Sequence, residues 1–313
     1  MSDVKTRFEV RRAGPLALLQ DAGRFGVRRL GVTQGGPADP HAWAWANRLV
    51  GNAWGATALE VTMGGLELDV ARETVIAVCG ADLGVTLEGH SLPLWESVRV
   101  RAGQRLAFAQ PVNGLRAYLA VAGGGFAAEP VLGSTACVPR EGVGGLDGLG
   151  HKLEEGDCLG AETPTGMPDT GRRAPDDVRP DYATTPRLAL LPGAQIAEFE
   201  GRSLYQAFNT AWRVDERADR MGVRLRGPQL RCRLGGMVSE GIGLGAVQVP
   251  PDGQPIALLN DRQTIGGYPR LGALTPLACG RLAQCLPGQD VHLVATSRER
   301  AHNEHRRFRA GFR

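Results

Sequence analysis

Lysine is almost missing: only Lys5 and Lys152 occur in 313 residues, so arginine carries nearly all of the positive charge. Schiff-base chemistry is left with almost no candidate nucleophile. Lys152 sits in "LGHKLEEGD" without a flanking methionine, unlike the lysine of a biotin carrier. No C-x-x-C spacing occurs among Cys79, Cys137, Cys158, Cys232, Cys279 and Cys285, and the six histidines are scattered apart from His302 and His305. No metal site is expected, and the cysteines read as reduced, small core residues. No apolar run approaches the roughly 18 residues of a membrane span, and no signal-peptide pattern opens the chain, so a cytoplasmic protein without membrane contact is expected. A net charge of +3 is too small to argue for nucleic acid.

Three catalytic signatures are absent as well. There is no G-x-x-x-x-G-K-[ST] phosphate loop, no G-x-S-x-G elbow, and no defensible Ser/His/Asp set. "SEGIGLGAVQVPPDG" (239–253) superficially matches a dinucleotide fingerprint. Gly245 leads into a short strand and a Pro-Pro-Asp-Gly turn, where that fingerprint needs a helix.

Glycine, in contrast, is plentiful at 44 residues, about twice ordinary usage. Short alternating segments bounded by turn residues recur: "LEVTM" (59–63) and "LELDV" (66–70) around Gly64-Gly65, and "VRVRAGQRLAF" (98–108), which reads as a hairpin turning on Ala102-Gly103. "TVIAVCG", "RAYLAVAGG", "RLALLPG", "GAVQVP", "PIALLN" and "VHLVATS" add further strands. Many short strands with Gly/Pro turns imply sandwiches or barrels.

Helices are few. "DPHAWAWANRLVG" (39–51) has Asp39 as N-cap, Pro40 at the first helical position and Gly51 as a stop, with Trp43 and Trp45 assigned to packing. "RSLYQAFNTAWRV" (202–214) places Leu204, Phe208, Ala211 and Trp212 on one stripe, and "TPLACGRLAQCLPG" (275–288) starts with a Thr-Pro cap. The expected organisation is a β-rich half over 1–162, a Pro-rich linker over 163–186, a second β-rich half over 187–297, and a basic, solvated tail over 298–313.

Polar groups cluster beside glycines at four places: Gln20-Asp21-x-x-Arg24, Asp219-Arg220, Ser239-Glu240, and Asp261-Arg262-Gln263 before Gly266-Gly267-Tyr268. The first admits two readings, an anion site on a glycine-rich loop or a hairpin bearing surface charges. Asp39 counts against a phosphate there, because an N-cap carboxylate already takes the helix start. Asp219-Arg220 reads as a structural ion pair. Charge beside bare backbone suits a site that stabilises an oxyanion and positions a base or water. Asp261, Arg262, Gln263, Asp21 and Arg24 are the catalytic candidates; Gln20, Tyr268, Gly266, Gly267, Ser239 and Glu240 are the substrate-binding ones. Arg262 and Arg24 are expected to hold an anionic oxygen and Asp261 or Asp21 to orient water, as two walls of one pocket.

"QDAGRFGVRRLGV", "DPHAWAWANRLVGN", "ALEVTMGG", "VLGST", "ADRMGVRLRGP", "SEGIGLGAVQVPPDGQPIALLNDRQTIGGYPR" and "RLAQCLPG" resemble, in order and spacing, the biotin-dependent carboxyltransferase family. This family is also called allophanate hydrolase subunit 2 and includes the C subunit of bacterial 5-oxoprolinase. The resemblance implies a mainly β fold of two cyclophilin-like β-barrel halves with a few short helices. It implies partners, a homologous B subunit and in some assemblies an A subunit. The function it implies is ATP-dependent opening of 5-oxo-L-proline to L-glutamate. The alternative is transfer of a carboxyl group to urea or a similar amide from carboxybiotin held on a separate protein. A second alternative is a non-catalytic regulator that binds a kinase inhibitor. Three departures from the family pattern stand out. "GVTQGG" puts Gly35 where a serine is usual, "GSRST" is shortened to Gly133-Ser134-Thr135, and a "GGR" arginine is replaced near His151.

Overall fold

The computed structural model describes residues 4–164, 166 and 169–312. Residues 165, 167 and 168 of the expected linker and Arg313 of the tail lie outside the described residues. The chain divides into two compact units: residues 1–27 with 34–181, and residues 28–33 with 182–313. The short segment Arg28–Thr33 thus leaves the first unit and belongs to the second.

Unit 1 is built on two antiparallel sheets. One has six strands in the order Cys158–Glu162, Val4–Ala13, Leu66–Val70, Arg105–Ala107, Thr86–Leu87 and His90–Ser91. The other has five, Leu16–Gln20, Ala58–Thr62, Asn113–Val121, Thr74–Asp82 and Ser97–Val100. Their inner faces share one core that includes Phe8, Leu19, Leu59, Leu68, Ile76 and Leu119. The alternation seen in the sequence is therefore real, but the segment 98–108 that reads as a hairpin is not paired with itself, and neither are the two strands flanking Gly64-Gly65. Ala58–Thr62 and Leu66–Val70 lie in different sheets, as do Ser97–Val100 and Arg105–Ala107. The turns do exist. Gly64 and Gly65 have φ of 74° and 75°, and Gln104 N–H bonds the Arg101 carbonyl at 3.2 Å. Both turns carry the chain from one sheet to the other, so the apolar faces meet across the core instead of within a ladder.

Unit 2 is a closed barrel of seven strands: Arg187–Pro192, Arg270–Leu274, Ala246–Gln248, Ile256–Leu258, Gly222–Arg226, Ala211–Val214 and Asp290–Ala295. Parallel pairing of the first and last in sequence, with Arg187 opposite His292, closes it. Closure leaves no free edge among these strands. The described residues are mainly β with four short α-helices, as expected from the turns.

Helix α1 (Pro40–Leu49) starts where the sequence indicates, with Asp39 Oδ1 accepting from His41 N (3.1 Å) and Ala42 N (3.2 Å). Trp43 is buried against Trp54, edge to face at 4.9 Å, so packing accounts for it. Helix α2 (Gly201–Asn209) is shorter than its apolar stripe suggests. Thr210 turns extended, and Ala211–Val214 continues as a barrel strand that buries Trp212 completely. The indole needs the barrel interior, and Gly227 leaves room for its ring face. Helix α3 (Pro276–Ala283) has the Thr275 cap, and α4 (Arg298–Ala310) is a continuous helix capped by Ser297. Cys158 is exposed on an outer strand and Cys232 half-buried, so only Cys79, Cys137, Cys279 and Cys285 serve as core residues.

A buried carboxylate ties one barrel hairpin. Asp215 accepts from Arg217 (Nε 3.0 Å, Nη2 3.1 Å) and from Arg226 (2.5 Å). The bonds from Arg217 and then Arg226 hold its carboxyl well below the usual carboxylate range, against its burial. A folded pKa below the unfolded value means stability that is present above about pH 4 and lost as pH falls further. Asp215→Asn is therefore expected to be less stable than wild type at pH 7 and to flatten the acid limb of the stability profile, measured by urea unfolding from pH 7 to pH 3.

Candidate functional site

In unit 1 the Gln20–Arg24 cluster holds together three glycine-rich loops. Gln20 is fully buried at the end of the strand Leu16–Gln20; its Nε2 donates to the Cys137 carbonyl (2.8 Å) and its Oε1 accepts from Gly36 N (3.1 Å). Asp21 Oδ1 accepts from Gly23 N (2.8 Å) and Ser134 Oγ (2.6 Å), and its Oδ2 from Thr135 N (2.9 Å). Arg24 is 1% exposed, and its guanidinium donates to the carbonyls of Val131 (2.8 Å), Ser134 (3.1 Å) and Ala136 (2.9 Å). Backbone carbonyls take these donors, so Arg24 and Asp21 clamp the "VLGST" loop.

The departures from the family pattern now have surroundings. Gly35 has φ 63°, and a Cβ there would lie 2.8 Å from Val138 Cγ2. The serine usual in the family is sterically displaced here by Val138. His151 is mostly exposed, and its Nδ1 meets Asp147 Oδ2 at 2.7 Å.

In unit 2 the two ends of the longest resembling segment form one small ribbon. Glu240–Gly241 pairs antiparallel with Ile265–Gly266, flanked by Met237 N to the Gly267 carbonyl (3.0 Å) and Ile242 N to the Thr264 carbonyl (3.0 Å). Ile242 is fully buried among Ala246 and Leu258, which anchors the ribbon to the barrel core. Three arginines brace it. Arg262 is 2% exposed; it donates to the carbonyls of Leu259 (3.1 Å) and Ile242 (3.3 Å). Arg28 also donates to the Ile242 carbonyl. Arg220 makes a two-pronged bond to Asp261, 2.9 Å on each arm, and its carbonyl accepts from Asp261 N at 2.9 Å. Thr33 Oγ1 reaches the Arg262 carbonyl at 2.8 Å. Burial, helped by the neighbouring charge of Arg28, pushes the Arg262 guanidinium down to about 10.

Asp219 is not the partner of Arg220. Its Oδ1 accepts from Met221 N (2.8 Å) and Gly222 N (3.0 Å), a local turn that short acidic side chains form readily. The structural ion pair is instead Arg220 with Asp261, 41 positions away in sequence. Arg28 and Thr33 were beyond sequence reasoning, since "VRRLGVT" gives no sign of what these residues hold, and for Arg220 the sequence pointed to the wrong carboxylate.

Asp261 and Arg262 are thus engaged with the protein itself, whereas the accessible groups lie further along. Gln263 is half-buried, Tyr268 is 47% exposed, and Ser239 and Glu240 are exposed on the opposite ribbon strand. Glu240 is held by Arg270 and by Gln195 (3.3 Å). Gly266 has no room for a side chain, because a Cβ would lie 2.3 Å from Ile242 Cδ1 and 2.8 Å from Gln248 Nε2. That buried amide nitrogen has no hydrogen-bond acceptor among the described residues. Beside the ribbon, Tyr268 lines a cavity of about 350 Å³ with Arg231, Cys232, Glu200, Pro250 and Pro269. The two candidate sets belong to different units, Gln20, Asp21 and Arg24 to the first and the ribbon residues to the second.

Neither of two glycine-flanked places offers an open anion cradle. The start of α1 is filled by Asp39, and amides of the "GVGGLDGLG" loop are spent on backbone carbonyls: Gly144 N on Gly148, Gly145 N on Thr135 and Gly150 N on Gly144. The residues present at these two places do not fit a triphosphate. Among the described residues no group of three or more His, Cys, Asp or Glu stands together as metal ligands. No helix among them is long and apolar enough to cross a membrane.

The family described as carboxyltransferase domain, subdomain A and B, matches residues 30–295, and the chain belongs to it. Among its relatives is the C subunit of 5-oxoprolinase from Escherichia coli, 37% identical over 291 residues that cover 93% of this chain and 91% of that protein. The corresponding 5-oxoprolinase C subunit of Haemophilus influenzae is 34% identical over 300 residues, 96% of this chain and 91% of that one. The crystal structure of the Kluyveromyces lactis urea carboxylase superposes with a TM-score of 0.91 at 27% identity over 98% of this chain, which spans 29% of that longer chain. These relatives are enzymes or enzyme subunits by name, which places this chain among the parts of enzymes.

Two stability tests separate clamps from accessible groups. Arg220→Ala removes the two-pronged partner of the buried Asp261 carboxylate and is expected to cost about 3–5 kcal/mol in urea unfolding, whereas Tyr268→Phe stays within about 1 kcal/mol. Gly35→Ser is expected to cost about 1–3 kcal/mol through strain and overlap with Val138, and pairing it with Val138→Ala should recover part of that loss.

Proposed function

We propose that the chain is a component of an ATP-dependent 5-oxoprolinase, opening 5-oxo-L-proline to L-glutamate together with a homologous B subunit, and with an A subunit in the full assembly. The observation that carries this reading is the near end-to-end match, 91% of each relative, to proteins named as the C subunit of that enzyme. A match to the urea carboxylase structure covers only a 29% portion of a longer chain. ATP enters, in this reading, through the complex.

Roles follow from accessibility. Tyr268, Gln263, Ser239 and Glu240 contact the small cyclic amide, and Gly266-Gly267 let its oxygen approach backbone N–H groups. Such donors stabilise a developing oxyanion best when they are fixed in advance. Arg262, Asp261 and Arg220 fix them, acting as positioning residues through the ribbon. Asp21, Arg24 and Gln20 hold the "VLGST" loop in the same manner. The cavity beside Tyr268 is of a size that accepts a small ligand.

The urea carboxylase superposition favours a second reading, in which the same ribbon receives a carboxyl group from carboxybiotin on another protein for transfer to urea or a similar amide. Co-expression with the B and A subunits distinguishes them. The expected result is ATP-dependent glutamate release from 5-oxoproline, lowered about 100-fold or more by Tyr268→Ala and Gln263→Ala in folded complexes. Urea-dependent decarboxylation of carboxybiotin without glutamate release would overturn the first reading. Partner binding with neither activity would instead support a regulator of a kinase inhibitor.

A further inference from the structure

The cavity beside Tyr268 is walled by segments of unit 2 that backbone hydrogen bonds hold in place. On one side, residues 229–235 lie along 198–200. Glu200 N donates to the Arg231 carbonyl (3.1 Å), Arg233 N to the Glu198 carbonyl (2.9 Å), and Phe199 bridges Cys232. The turn 250–253 closes a second side, with Leu230 N on the Gly253 carbonyl (3.0 Å) and Gly253 N on the Pro250 carbonyl (2.9 Å). A Cβ at Gly253, whose φ is 72°, would lie 2.5 Å from Gln229 Cγ, so this turn packs directly on the neighbouring wall. Val249 N reaches the Pro269 carbonyl at 2.8 Å and fixes the third side, which carries Tyr268.

The chemistry of these walls is mixed. Val249, Pro250 and Pro269 are buried apolar residues, whereas Arg231 and Glu200 bring opposite charges to the same concave surface. No ion pair joins those two side chains among the described residues. Apolar walls with a few polar groups that fix orientation are the usual make-up of a small-ligand site, and about 350 Å³ lies at the small end of such sites. A neutral ligand would leave the planar fork of Arg231 unused, and a ligand offering only carboxylates would meet repulsion from Glu200. A ring amide that also bears a carboxylate suits both groups. Its carboxylate accepts from the guanidinium, its amide N–H donates to Glu200, and its methylene groups face the prolines.

We propose that this cavity is the subsite for the carboxylate end of 5-oxo-L-proline, with Arg231 holding the carboxylate and Glu200 accepting from the lactam N–H. The ligand is taken from the 5-oxoprolinase reading above, and the subsite adds to that reading a residue that sets specificity. Urea and other small neutral amides have no carboxylate for Arg231 to hold. A two-pronged bond to a carboxylate discriminates strongly, because the analogue lacking it leaves the guanidinium without its partner. With that end seated, the lactam carbonyl is left for the ribbon, where Gly267 precedes Tyr268 in the chain.

The test uses the complex co-expressed with the B and A subunits and two probes, 5-oxo-L-proline and 2-pyrrolidinone, the same ring without the carboxylate. Isothermal titration without ATP reads binding and needs no turnover. Wild type is expected to bind 5-oxo-L-proline about tenfold or more tightly than 2-pyrrolidinone. Arg231→Gln should weaken 5-oxo-L-proline about ten- to a hundredfold and leave 2-pyrrolidinone unchanged, with Arg231→Lys in between. Arg233→Gln, at an exposed position outside the cavity, should change neither. Should the Arg231 variants fail to fold, the wild-type complex still carries a probe of location. Cys232 lines the cavity and Cys158 lies on an outer strand of unit 1, so saturating 5-oxo-L-proline should slow N-ethylmaleimide labelling of Cys232 and not of Cys158, followed by peptide mass spectrometry. Equal affinity for the two probes, affinity for neither, full affinity in Arg231→Gln, or unprotected Cys232 would each overturn the subsite. Arg231-dependent binding without glutamate release would support the subsite and count against the oxoprolinase reading. Glutamate release with KM unchanged in Arg231→Gln would do the reverse.

Discussion

A guanidinium taken out of water must find acceptors for its N–H groups, or its burial costs more than a small fold can supply. In this chain the acceptors are backbone carbonyls of loops that have no ladder of their own. Arg24 collects three carbonyls in unit 1, and Arg262 collects two in unit 2. Each fixes a glycine-rich loop whose own sequence specifies little. The shortage of lysine fits this arrangement, because an ammonium lacks the planar fork that reaches several carbonyls at once.

The same economy applies to Asp261 and Arg262, whose side chains are spent on partners within the protein. Asp261 and Arg262 stand next to each other in the chain, but their side chains serve different ends. Asp261 turns to Arg220, and Arg262 to the carbonyls of Leu259 and Ile242. A rigid ribbon is the product, with Tyr268 and Gln263 left accessible beyond it. Preorganisation of this kind is useful where backbone N–H groups must face a growing charge without rearranging.

Local signals in the sequence were sufficient for α1 and α3, whose caps depend only on residues within a turn. Strand segments were legible too, from alternation and turn residues. Partner choice was not. "LEVTM" and "LELDV" alternate in the way a hairpin does, and only the shared core of two sheets decides that they part company. The end of α2 was illegible for a similar reason, since the burial of Trp212 in the barrel overrides a helical stripe. The candidate site was legible as a set of segments and not as roles. Arg220 and Asp261 are far apart in sequence, and nothing local announces their pairing.

Arg28–Thr33 is a short run near the start of the chain, yet its contacts belong to unit 2. The barrel closes on strands at 187–192 and 290–295, so these six residues wait through most of synthesis before Ile242 and Arg262 exist to receive them. Folding of unit 2 is therefore non-local twice over, once through barrel closure and once through this early strap. Division of the chain at the proline-rich stretch would separate the strap from the barrel it serves. The C-terminal piece would then hold the Ile242 and Arg262 carbonyls without Arg28 and Thr33. The two halves are consecutive in sequence but not separable modules, and an evolutionary shuffling of one without the other would have to replace that strap.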